Sequence, residues 1–146
     1  MQFKRPRTSL GLAVVLGFSA KFLSMSENNS NFAVDYIYNM TKKQRADIIN
    51  AIATTAKKLT PKGSQIILFG SQARGDARDD SDWDVLILLE KPRINLEDID
   101  NVSYPLRELG WEYGEDINTV LYTKKDWDNN SFTPFYKNVI KEGIVL

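Results

Sequence analysis

The stretch from Phe69 to Glu90, FGSQARGDARDDSDWDVLILLE, constrains this chain more than any other. The unbroken apolar run Val85-Leu86-Ile87-Leu88-Leu89, bounded by polar residues, predicts a strand buried on both faces. Side chains alternate along a strand, so Asp82 and Asp84 point one way and Trp83 the other. Two carboxylates side by side repel and are costly to desolvate unless a cation lies between them. A hard, oxygen-loving ion such as Mg2+ suits that pair. Upstream, a second apolar strand, Gln65-Ile66-Ile67-Leu68-Phe69, runs straight into Gly70-Ser71. A strand ending in Gly-Ser offers close backbone approach, N–H donors and a hydroxyl, which together suit a phosphate. A phosphate cradle with paired carboxylates points to metal-dependent phosphoryl or nucleotidyl transfer.

Composition narrows the chemistry further. There is no cysteine and no histidine among the 146 residues. Disulfides, thiol nucleophiles, thiolate or imidazole metal sites and an imidazole base are therefore excluded. Nineteen basic residues balance nineteen acidic ones, which gives no support to an extended nucleic-acid-binding surface. Catalysis must rest on carboxylates, hydroxyls, Lys, Arg, Tyr and a metal. The length suits one domain.

Residues 1–24 stand apart. Lys4, Arg5 and Arg7 precede an apolar run from Leu10 to Ala20, a secretory-signal-like pattern too short to span a bilayer. The preferred reading is an extension from an over-long start, with Met25 or Met40 as the true beginning. Residues 1–40 are expected to be poorly ordered and 41–146 to form the domain. No membrane association is expected, and the location is expected to be cytoplasmic.

From Thr41 the pattern sharpens. Ile48, Ile49, Ile52, Ala56 and Leu59 predict an amphipathic helix over 41–59 with Thr41 as its cap. Thr60 to Ser64 is a turn, and strand 65–69 follows. Ser71 to Arg74 starts a short helix ended by Gly75, and a polar loop leads to the aspartate strand at 82–89. Residues 95–109 have helical spacing, with Pro105 expected to kink or split them. A third strand covers about 116–122, with Trp111 and Tyr113 as a candidate backward extension. Thr123 caps a turn of helix at 124–127, and residues 134–142 form an amphipathic helix stopped by Gly143. The expected fold class is α+β: a small mixed β-sheet with helices packed against it.

Gly70-Ser71, ten residues, then Asp82-Trp83-Asp84 resembles the signature of the DNA polymerase beta-like nucleotidyltransferase superfamily. The fuller string Gly70-Ser71-Gln72-Ala73-Arg74-Gly75, with Ser81-Asp82-Trp83-Asp84, resembles its minimal nucleotidyltransferase branch. The resemblance covers about residues 41–146. It implies that Gly70 and Ser71 hold the β- and γ-phosphates of ATP and that Asp82 and Asp84 ligate two Mg2+ ions. It also implies a third carboxylate on a neighbouring strand. Asp116 is the choice, with Asn118 on the same face as the competing position. Arg74 either assists with phosphate charge or holds the loop by pairing with an acid. Trp83 is read as core, and Trp111, Trp127, Phe135 and Tyr136 as core or interface.

The resemblance implies transfer of a nucleoside monophosphate, AMP from ATP, onto an acceptor hydroxyl. Minimal members act as antitoxins beside a small helical HEPN-type toxin, some by modifying a partner tyrosine. A small-molecule nucleotidyltransferase of the aminoglycoside type, or a non-catalytic nucleotide- or partner-binding module, are the alternatives.

Overall fold

The computed structural model of the protein describes residues 30–146. By its contacts the chain divides into Met1–Arg45 and Ala46–Leu146. The expectations for residues 1–24, and that of poor order as far as residue 29, lie outside the described residues. The sheet and the site belong to the second unit.

The first helix, α1, runs Ser30–Leu59 and begins earlier than expected. Thr41 lies inside it and not at its start. No glycine or proline occurs between Ser30 and Thr60, and once a helix is nucleated each further residue adds at little cost. After the turn come strand β1 (Gln65–Phe69), the single-turn helix α2 (Gly70–Arg74) and strand β2 (Trp83–Leu89). A short turn α3 (Leu96–Asp98) opens with Asn95 and Asp98 in a reciprocal capping box, continues as a π-turn (Ile99–Ser103), and becomes α4 (Tyr104–Tyr113). Pro105 explains the split: it sits in the first turn of α4, where its missing N–H costs nothing. Trp111 and Tyr113 do not extend the next strand. They belong to α4, which Gly114 ends at φ 70°. Strand β3 (Ile117–Thr123), helix α5 (Lys124–Asn129), helix α6 (Pro134–Glu142) and a two-residue strand β4 (Ile144–Val145) complete the chain. The side chains of Thr123 and Thr133 cap α5 and α6.

The four strands form one mixed sheet in the order β3-β2-β1-β4. β2 runs antiparallel to β1 and parallel to β3. One face carries Ile66, Leu68, Trp83, Val85, Ile87, Leu89 and Ile117 against Ile48, Ile52 and Ala56 of α1 and Val102 and Leu106 of the π-turn and α4. The other carries Ile67, Leu86 and Leu88 against Trp127 and Val139, with Phe135 and Tyr136 alongside. β2 is therefore covered on both sides, as its unbroken apolar run requires. Burying each such aliphatic side chain contributes about 2 kcal/mol. β4 was not expected. It pairs Ile144 with Leu68 and Val145 with Ile67, and Leu146 donates its N–H to the Ile66 carbonyl at 2.9 Å.

Candidate active site

The antiparallel register places Phe69 opposite Asp84. The residue after Phe69 must therefore turn directly past the Asp84 side chain. That residue is Gly70, at φ 71°, in the left-handed region that side chains other than hydrogen rarely tolerate. A Cβ on Gly70 would collide with Asp84 Oδ2. The backbone of the Gly-Ser turn is thus packed against the second carboxylate of the aspartate pair. α2 begins at Gly70 with Phe69 as an extended N-cap that supplies no side-chain hydrogen bond. The Ser71 carbonyl accepts from the N–H groups of Gly75 and Asp76, and Gly75 ends the turn at φ 82° as expected. Ser71 lies in the first turn of α2 rather than at its cap.

The loop between α2 and β2 is held at its far end. Ser81 Oγ accepts from the Arg78 N–H at 2.8 Å, and Gln72 Nε2 donates to the Ser81 carbonyl at 3.4 Å. These bonds fix the approach to Asp82. Trp83 turns inward as expected, buried in the core, and its indole N–H donates to Glu115 Oε2 at 3.1 Å. Glu115 is therefore occupied as the partner of Trp83. Asp79 and Asp80 are exposed loop residues.

β3 supplies the third side chain. The parallel register sets Asn118 opposite Asp84, and Asn118 Nδ2 donates to Asp82 Oδ2 at 2.8 Å. Asp116 precedes β3; its carbonyl accepts from the Trp83 N–H at 2.8 Å, and it lies one pleat beyond Asn118, exposed. Among the described residues no three acidic side chains gather closely enough to hold a metal ion. The structure thus brings together Asp82, Asp84 and Asn118, and leaves Asp116 exposed in the loop just before β3.

Burial pushes the Asp84 carboxyl above its usual range, the charge of Asp82 adds to this, and Arg74 opposes it. A carboxylate raised by desolvation and a like neighbour is stabilised by an added cation. Mg2+ is commonly held by one or two carboxylates plus substrate phosphates, and Asp82 with Asp84 beside the Gly70 turn fits that donor set. Arg74 donates from Nε to Asp76 Oδ2 at 3.2 Å and from Nη1 to Glu142 Oε2 at 3.4 Å. The hydrogen bond to Asp76 is the main reason its pKa rises. Of the two expectations for Arg74, the structure shows pairing with acids. Glu142 is a residue that sequence reasoning missed, since no local spacing joins it to Arg74.

The Nucleotidyltransferase domain family matches residues 49–146. The chain belongs to this family. The nucleotidyltransferase domain is 32% identical over 105 residues to a Methanocaldococcus jannaschii protein named "Putative protein adenylyltransferase MJ0604", covering 72% of this chain and 96% of the relative. Among solved structures it is similar to a toxin–antitoxin with AMP-PNP (21% identity, TM-score 0.46, 66% of this chain and 69% of that one). It is also similar to a Sulfolobus solfataricus protein described as a "putative nucleotidyltransferase" (22% identity, TM-score 0.41, 70% of this chain and 76% of that one). The nucleotidyltransferase is an enzyme of the transferase class. Among the described residues no helix is long and apolar enough to cross a membrane.

Proposed function

We propose that the nucleotidyltransferase moves AMP from ATP onto a hydroxyl of a protein acceptor, with Mg2+ as cofactor. One observation carries the reading: the Gly70 backbone lies against the Asp84 carboxylate, so phosphate cradle and cation-binding pair share one corner. The relative named as a protein adenylyltransferase supports a protein acceptor over a small molecule.

In this reading the N–H groups at Gly70 and Ser71 and the Ser71 hydroxyl hold the β- and γ-phosphates. Arg74 contributes positive charge beside them. Asp82 and Asp84 would hold the cation, and Asn118 fixes the Asp82 carboxylate in place. Magnesium, when bound, neutralises triphosphate charge and favours departure of pyrophosphate. Asp116, exposed just before β3, takes the proton from the acceptor hydroxyl. The acceptor oxygen bonds to the α-phosphorus as the bond to the pyrophosphate oxygen breaks. The acceptor we infer is a tyrosine of a small helical HEPN-type partner, which makes this chain the antitoxin of a pair working in the cytoplasm.

The test is label transfer. The purified chain is incubated with ATP labelled at the α-phosphate, Mg2+ and the product of the adjacent gene. Label on a tyrosine of that product, absent when EDTA is added, is the expected result. Failure to bind ATP would overturn the cradle, and binding without transfer to any protein would overturn the acceptor.

A further inference from the structure

A recess of about 220 Å3 lies between α2 and α6, lined by Phe69, Gly70, Arg74, Phe135, Val139 and Glu142. Gly70 therefore belongs both to this recess and to the wall of Asp84. Arg74 reaches across the recess mouth to Glu142, 68 residues further along the chain.

We propose that Glu142 is a positioning residue for nucleotide binding: by holding Arg74 from α6, it aims the guanidinium at the recess beside Gly70, where the phosphates of a nucleoside triphosphate lie. The proposal rests on the reading of Gly70-Ser71 as the phosphate cradle.

The guanidinium has five N–H donors, and the two carboxylates engage it through Nε and Nη1, leaving an edge for phosphate oxygens. Its two partners are not equivalent. Asp76 follows α2 by two residues and is 62% exposed, so it ties Arg74 only to its own loop. Glu142 is half as exposed, at 31%, and closes α6. α6 is anchored to the sheet through Val139 and Phe135, and Phe135 meets Phe69 edge-on at 5.4 Å. Gly143 follows at once, where a Cβ would strike the Val139 carbonyl and Ile67, so the end of α6 lies tight on β1. Glu142 is thus a fixed post and Arg74 a long side chain tied to it. A free arginine loses rotamer entropy when immobilised, and a post that orders it beforehand removes part of that cost from binding. The field of Arg74 already reaches Asp84. α6 therefore contributes to the triphosphate site through a contact that linear sequence does not join.

The test measures affinity for a non-hydrolysable ATP analogue with Mg2+, by calorimetry, in wild type, Glu142→Ala, Glu142→Gln, Arg74→Ala and the Arg74→Ala/Glu142→Ala double variant. Glu142→Ala should weaken binding about fivefold, the scale of a partly exposed ion pair. The KM for ATP should rise with it, while kcat at saturating ATP stays close to wild type. Glu142→Gln, nearly identical in shape, should fall between the two and guards against a folding defect. The double variant should bind no worse than Arg74→Ala alone, because Glu142 acts through Arg74. Unchanged or tighter binding in both Glu142 variants, or losses that add in the double variant, would overturn the proposal. A wild-type protein that binds no nucleotide would instead sink the cradle on which it stands.

Discussion

Asn118 donates its side-chain N–H to Asp82 Oδ2 at 2.8 Å, across the parallel pairing of β3 with β2. The position beside the aspartate pair therefore holds a neutral donor, where a third acid would add charge. Asn118→Asp should destabilise the metal-free protein by roughly 1 kcal/mol, because like charges at facing strand positions repel. Mg2+ should restore the loss and more, since a third carboxylate strengthens the cation site. Thermal melts with and without Mg2+ check this; a variant whose melting ignores Mg2+ would show that these carboxylates share no ion.

Gly70→Ala tests the close approach directly. The left-handed backbone alone should cost about 1–2 kcal/mol, and the collision of the new Cβ with Asp84 adds to it. Urea unfolding should show the stability loss, and nucleotide transfer should fall below detection even where the variant is fully folded. A stable variant with normal transfer would mean that the turn and Asp84 do not form one site.

Asp84 predicts a pH dependence of stability in EDTA. Burial, then Asp82, raises its pKa above that of the unfolded chain, against the pull of Arg74. The folded state therefore holds this proton more tightly. The contribution to stability is fully present below the unfolded pKa and is lost as pH rises through the higher folded one. Asp84→Asn should match wild type at acid pH and become the more stable of the two toward neutrality. Adding Mg2+ at neutral pH should narrow the gap by stabilising wild type alone. A difference that grows toward acid pH would reverse the sign and refute the account.

The carboxylates should separate by kinetics. Asp82→Asn with Asp84→Asn should abolish transfer while leaving the circular dichroism spectrum unchanged, because two repelling charges are removed. Asp116→Ala should lower kcat about a hundredfold, the scale of a general base, with ATP affinity near that of wild type. Normal kcat in that variant would assign the proton to another group.

Much of the fold is legible in neighbouring residues. The apolar run of β2, the shared face of Asp82 and Asp84, the glycine after β1, the stop at Gly75 and the cap at Thr123 follow from alternation, backbone sterics and side-chain reach, which act over a few residues. The mixed sheet with packed helices follows from the same pattern, as does the division of 95–109 at Pro105. The helical fate of Trp111 and Tyr113 is misread, because a half-apolar aromatic pair at two-residue spacing fits a strand as well as a helix end.

Other features depend on how distant segments are brought together. Strand register decided that Phe69 faces Asp84 and that Asn118, rather than Asp116, meets Asp82; a slip of one residue would send each side chain to the opposite face. The return of α6 to the sheet decided that β4 forms and that Glu142 reaches Arg74. Sequence determined which chemical groups this nucleotidyltransferase could use, because backbone stereochemistry is local. Only the packed sheet decided which of them meet, because pairing and helix docking are set by the burial of the whole core.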